Sequence, residues 1–199
     1  MDEHVRSFFV HQELLTARSL FFDKALKGYG DDGDSDMKWL EGDERVVKLP
    51  DDEPAVFTLY LQLLYTGYIP AAQSLPGNIN ELSGEALKAV VDELVIGEYT
   101  DLAKLYVLCE KLQDLQGKTG VVKAFMDHCK TIRKNEAAYY PTGGPVKLVY
   151  DGTLPGDPLR DFLTDCHMLV GHDGWLHGLK PEDYHHDFLH DVMAAMTIG

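Results

Sequence analysis

Leu63-Leu64-Tyr65-Thr66-Gly67-Tyr68-Ile69 ends an apolar run and turns the chain. Thr66-Gly67 reads as a helix stop, because glycine accepts the left-handed backbone that closes a helix. Upstream, Phe57, Leu61, Leu64 and Tyr65 recur at the i, i+4, i+7, i+8 spacing of one helix face, which predicts a helix with Tyr65 in the core. It opens at Asp51-Asp52-Glu53-Pro54, where acidic side chains suit the positive end of the helix dipole and proline is tolerated. Before it, Arg45-Val46-Val47-Lys48-Leu49 has the composition of a strand, ended by Pro50.

Further out, residues 5–10 are rich in β-branched and aromatic side chains and predict a second short strand. Helices follow over residues 11–17 and 19–26, the second with Ser19 as N-cap. His11 stands at the strand-to-helix junction, where its ring is expected to satisfy nearby backbone groups. Residues 28–36 are a Gly/Asp loop; as a calcium loop it fails, since the twelfth position counted from Asp31 is Gly42 and not glutamate. On the C-terminal side, residues 70–82 read as loop and residues 83–96 as an amphipathic helix with Leu87, Val90, Val91, Leu94 and Val95 as its stripe. Thr100 is expected to cap a new helix bearing Leu102, Leu105, Cys109 and Leu112, and Gly117 to break it. A helix with Val121, Val122, Phe125, Met126, Cys129 and Ile132 completes an αα-hairpin. After a Pro/Gly linker at residues 141–145, the alternation in Val146-Lys147-Leu148-Val149-Tyr150 predicts a third strand. Asp157-Pro158 is an N-cap and N1 pair that starts a helix, and a last helix begins near Pro181.

This order of elements resembles the BTB/POZ domain. The likeness lies in Phe9-Val10-His11-Gln12-Glu13-Leu14-Leu15 with Ser19-Leu20-Phe21-Phe22, in Val47-Lys48-Leu49-Pro50-Asp51-Asp52 with Ala55-Val56-Phe57, and above all in Leu63 to Ile69. It covers roughly residues 5–132, and the tail is similar to the helical extension of fungal-type members. The resemblance implies an α+β fold: a small sheet flanked by a majority of helices, over residues 1–135, with a linker, short strand and helical extension over 136–199. Two features depart from the family. Only a few residues precede the first strand, where the family usually has a β-hairpin, so either the chain is shortened or the sheet keeps an open edge. Residues 70–97 are an insertion.

The function implied is protein–protein interaction without catalysis. In its sharper form the chain is a substrate adaptor for a cullin-type ubiquitin ligase. In the alternative it is a self-associating scaffold or a transcription-related interaction domain with no ligase link. The resemblance places a hydrophobic-x-Glu contact motif at Trp39-Leu40-Glu41, with Tyr68 as a further surface candidate; Trp39 folded back onto the core is the competing reading. A homodimer is the other partner implied, though family dimers often use the missing segment.

Composition narrows the classes. The formal net charge is −15, so phosphate backbones and anionic membrane surfaces are poor partners. Cys109, Cys129 and Cys166 each fall on an apolar helical stripe without any C-x-x-C pair, and read as small buried hydrophobes in an intracellular, reducing compartment. Met1-Asp2-Glu3-His4 has no signal-peptide features. Gly117-Lys118-Thr119 lacks the earlier glycine of a phosphate loop, since Leu112 stands there. His186 and His190 are four apart, and a metal-dependent enzyme built on the tail histidines is the rival of another class. The segment lacks the glutamate of H-E-x-x-H, so no metal, cofactor or catalytic residue is assigned.

Overall fold

The computed structural model describes residues 6–26, 46–70, 79–170 and 181–198. Among them the α-helices are α1 (Gln12–Arg18), α2 (Leu20–Leu26), α3 (Pro54–Thr66), α4 (Gly84–Lys111), α5 (Leu115–Lys130), α6 (Gly144–Gly152), α7 (Pro158–Val170) and α8 (His186–Ile198). Two single 3-10 turns, Ile79–Glu81 and Pro181–Asp183, accompany them.

The fold is mostly α, and the expected small sheet is corrected: the described residues contain only an isolated antiparallel bridge, Ile132 with Ala138. Each expected strand fails for its own reason. Residues 6–10 do alternate, with Phe8 turned inward and Phe9 outward, but the inward side meets a helix: the Phe8 and Phe57 rings meet edge-on at 5.0 Å. In residues 46–49, Val47 and Leu49 are half-buried and Val46 and Lys48 exposed, with no partner strand beside them among the described residues. Residues 146–150 are helical: Val146, Val149 and Tyr150 fit a helical stripe as well as an alternation, and all three are buried in α6. Pro145, in the first turn, favours the helix.

A second correction concerns α4. The helix stop expected between residues 96 and 100 does not occur, and the two expected helices are one. Thr100 caps nothing; its hydroxyl donates to the carbonyl of Ile96 at 2.7 Å, inside the helix.

The chain divides into two units: Met1–Ile69 with Leu108–Gly120, and Pro70–Val107 with Val121–Gly199. In the first, Phe57 of α3 lies against Phe22 and Tyr60. Ser19 is fully buried. Its hydroxyl donates to the Leu112 carbonyl at 2.5 Å and accepts the Phe22 N–H at 3.2 Å, so the expected N-cap is made. The turn from α4 to α5 passes through Gln113 at φ +55° and is closed by Asp114. This carboxylate has no solvent exposure. It accepts the Gly117 N–H at 2.8 Å and both Nε and Nη2 of Arg18, at 3.2 and 3.0 Å. Gly117 therefore lies in the first turn of α5, and α4 has already ended at Lys111 before it.

In the second unit the rings of Tyr99 (α4) and Phe125 (α5) stack at 5.5 Å, the expected hairpin contact. The Tyr106 hydroxyl donates to Asp157 Oδ1 at 2.7 Å, and the same oxygen caps α7 by accepting the Leu159 N–H at 2.9 Å. Arg160 is buried over the face of Tyr150, 4.4 Å from the ring centroid, and donates to the Thr153 hydroxyl and the Tyr150 carbonyl. The Tyr150 hydroxyl reaches Asp191 of α8 at 3.0 Å, which ties α6 to α8.

Candidate functional site

Among the described residues the strongly exposed large aromatic side chains are Phe9, Tyr65 and Tyr68, all in the first unit, and the two tyrosines lie at the C-terminal end of α3. Gly67 adopts φ +68° and its N–H closes on the Leu63 carbonyl at 2.9 Å. An L side chain is strained at that φ, which is why the stop read from the sequence holds. The Thr66 hydroxyl donates to the Gln62 carbonyl at 2.6 Å and accepts the Tyr68 N–H at 3.1 Å. The backbone on both sides of Gly67 is thereby pinned, and it presents Tyr68 outward, 66% exposed.

Tyr65 is the residue whose position the sequence misplaces. It was expected in the core and is 47% exposed. The buried face of α3 is carried by Val56, Phe57, Tyr60, Leu63 and Leu64, one step round the helix from the stripe chosen on spacing. The Tyr65 hydroxyl accepts the backbone N–H of His11 at 3.2 Å and lies 2.8 Å from His11 Nδ1. Both contacts are satisfied when the hydroxyl donates its proton to Nδ1 and the ring proton sits on Nε2. His11 therefore bonds a side chain 54 residues away, where the sequence reading gave it backbone groups. The bond fixes the start of α1 beside the end of α3. Phe9, two residues before His11, is fully exposed.

Of the residues singled out from the sequence, Tyr68 is placed on this surface. Trp39, Leu40 and Glu41 lie outside the described residues. The pinning by His11 has no sequence signal beyond the histidine itself.

The first unit also holds a polar centre that faces inward. Beside Asp114 are the buried Cys109 thiol and the Tyr60 hydroxyl. Burial, and then the negative charge of Asp114, push both pKa values up, so both stay protonated. These groups hold a turn and are closed to solvent.

In the second unit, His186 and His190 lie near Asp187 and Asp191 of their own helix, at 3.5 and 3.7 Å. Among the described residues no three His, Cys, Asp or Glu side chains are grouped so as to hold a metal ion. His167 is buried and its Nδ1 lies 2.8 Å from the Leu163 carbonyl; burial lowers its pKa and favours the neutral ring. Among the described residues no helix is long and apolar enough to cross a membrane. No protein-family model, curated protein or solved structure matches the chain.

Proposed function

We propose that the chain is a protein-docking module, and that Tyr65, Tyr68 and Phe9 are the anchors of its contact face. The observation that carries this reading is the combination of exposure and restraint at the end of α3. Tyr65 and Tyr68 stand in solvent on backbone that is already fixed by Gly67, Thr66 and His11, and Phe9 is fully exposed two residues before His11. Tyrosine offers much contact area at the cost of ordering few torsions, and aromatic anchors dominate measured binding energy at interfaces. A preformed surface avoids the ordering cost that a mobile one would meet on binding.

The charge selects the partner. A net −15 favours a protein with a basic surface and opposes a second copy carrying the same charge. The adaptor role for a cullin-type ligase belongs to the resemblance and to Trp39-Leu40-Glu41, so a cullin N-terminal domain is one probe among others.

The test is affinity capture on immobilised wild type and on Tyr65→Ala/Tyr68→Ala, quantified by mass spectrometry, with the cullin domain assayed in parallel. The expected result is a basic partner retained by wild type, about tenfold less by the variant, and progressively less as salt is raised. Equal capture by the two forms sinks the assignment of the face. Light scattering that shows a dimer lost in the variant would replace the partner with a second copy.

A further inference from the structure

Two histidines stand where α8 joins its own unit, and each is placed to suit an uncharged ring. His185 precedes α8 and caps it. Its Nδ1 accepts the Asp187 N–H at 3.1 Å, and its carbonyl accepts the Leu189 N–H at 3.3 Å. Nδ1 therefore holds a lone pair, and the ring proton sits on Nε2, which faces Asp151 Oδ1 of α6 at 3.6 Å. His167 of α7 is buried, and its Nδ1 lies 2.8 Å from the Leu163 carbonyl. The Phe188 ring of α8 meets it edge-on at 4.7 Å, and the Tyr184 ring at 6.1 Å. Phe188 is itself buried and meets Tyr150 of α6 edge-on at 5.4 Å.

We propose that α8 is an acid-sensitive latch, in which proton uptake by His185 and His167 releases the helix from α6 and α7 and bares Phe188. On His185 the added proton goes to Nδ1. It removes the acceptor that caps α8, and it puts a positive charge at the helix N-terminus, where the dipole disfavours one. The carboxylates that face this ring each have another cation nearby. Asp151 lies 3.5 Å from Lys147 Nζ. Asp187, 3.9 Å from His185 Nδ1, lies 3.8 Å from Arg160 Nη1 of α7 and 3.5 Å from His186 Nδ1. The Tyr150 ring stands tilted against His185 at 5.8 Å.

At His167 the cost of charge is burial. Burial, resisted by the Leu163 carbonyl, lowers its pKa from the ordinary 6.5. Release of α8 lifts Phe188 off this ring and opens it to water. The released form therefore takes up the proton first, and it gains on the closed form as the pH falls through 6.5. A third polar tie, from the Tyr150 hydroxyl to Asp191 Oδ2 at 3.0 Å, is made by a phenol that burial keeps protonated.

The test is amide hydrogen exchange of the full chain at about pH 7.5 and about pH 5.5, on either side of the ordinary histidine range, corrected for intrinsic rates. Protection at residues 188–196 should fall at least about tenfold between the two. At the lower pH it should lie at least about tenfold below that of residues 99–107 in α4, because α8 opens without the rest. His185→Asn with His167→Gln puts amides, which do not titrate, at both positions, and its α8 protection should be alike at the two pH values. Wild-type α8 protection that does not change with pH would overturn the proposal. So would α8 and α4 exchanging at one common rate at the lower pH, the mark of global unfolding, or a folded double variant that keeps the wild-type pH dependence. The wild-type comparison needs no substitution, so it decides the matter even if the variant misfolds.

Discussion

Asp114 carries a charge with no exposure to water, which is costly unless donors surround it. Here Arg18 supplies two N–H groups and Gly117 a third. Removing the carboxylate leaves a largely buried guanidinium without its partner and α5 without its cap. Asp114→Ala should therefore lower stability by about 3–5 kcal/mol, read as a lower urea midpoint. A loss no larger than that of a typical surface substitution would show that the pair is not formed in solution. Gly117 belongs to the same arrangement: a Cβ there would stand 2.8 Å from Asp114 Oδ2 and from Cys109 Sγ. Part of this was legible. An aspartate three residues before a glycine, at the start of a helical run, is a cap signal, but the glycine drew attention as a breaker. The Arg18 partner, 96 residues away, leaves no trace in spacing. The same limit applies to Tyr65, where helical periodicity indicates a face but not which neighbouring stripe is covered.

At the scale of elements, helix boundaries set by backbone chemistry were readable. The Gly67 stop, the Ser19 cap and the Asp157 cap are all formed. Type assignment failed where one pattern fits two periods. Val146, Val149 and Tyr150 satisfy a strand alternation imperfectly and a helical stripe well, and burial against other helices decides for the helix. In α4, the expected stop was overridden by tertiary contacts in the turn concerned. Tyr99 stacks on Phe125, and Glu98 pairs with Arg133 at 2.5 Å. The packing of α6 on α4 can be tested at Gly152, where a Cβ would fall 2.4 and 2.5 Å from the two Val107 methyls. Gly152→Ala should cost about 1–3 kcal/mol by overpacking, and Val107→Ala in the same chain should recover much of that loss. Independent, additive effects of the two substitutions in a double-mutant cycle would contradict this contact.

For the whole molecule, buried titratable groups set a pH range of stability. Tyr60, Tyr99 and Tyr150 have pKa values raised above 10.0, and Cys109 and Cys166 above 9.0, in every case except Cys166 with burial as the first cause. Their stabilising contribution is complete below those ordinary values and is lost as the pH rises above them, because the unfolded chain ionises first. His167 has its pKa lowered from 6.5, so the unfolded chain takes up a proton first and stability falls as the pH drops below that value. Cys129 runs the other way from the remaining thiols, adding stability as the pH climbs from about 7 toward 9.0. The urea midpoint should be highest between about pH 7 and 9 and fall on either side; a midpoint still rising well above the tyrosine range would contradict the burial of these phenols. The helical architecture is what places the Tyr65–His11 clasp, and among the described residues it replaces the small sheet that the sequence pattern suggested. Backbone NMR chemical shifts of the full chain test it directly at residues 144–152. Cα shifts displaced to the helical side, at Val146, Val149 and Tyr150 together, are the result this account requires. Extended-strand shifts there, with cross-strand contacts to residues 6–10 or 46–49, would contradict it.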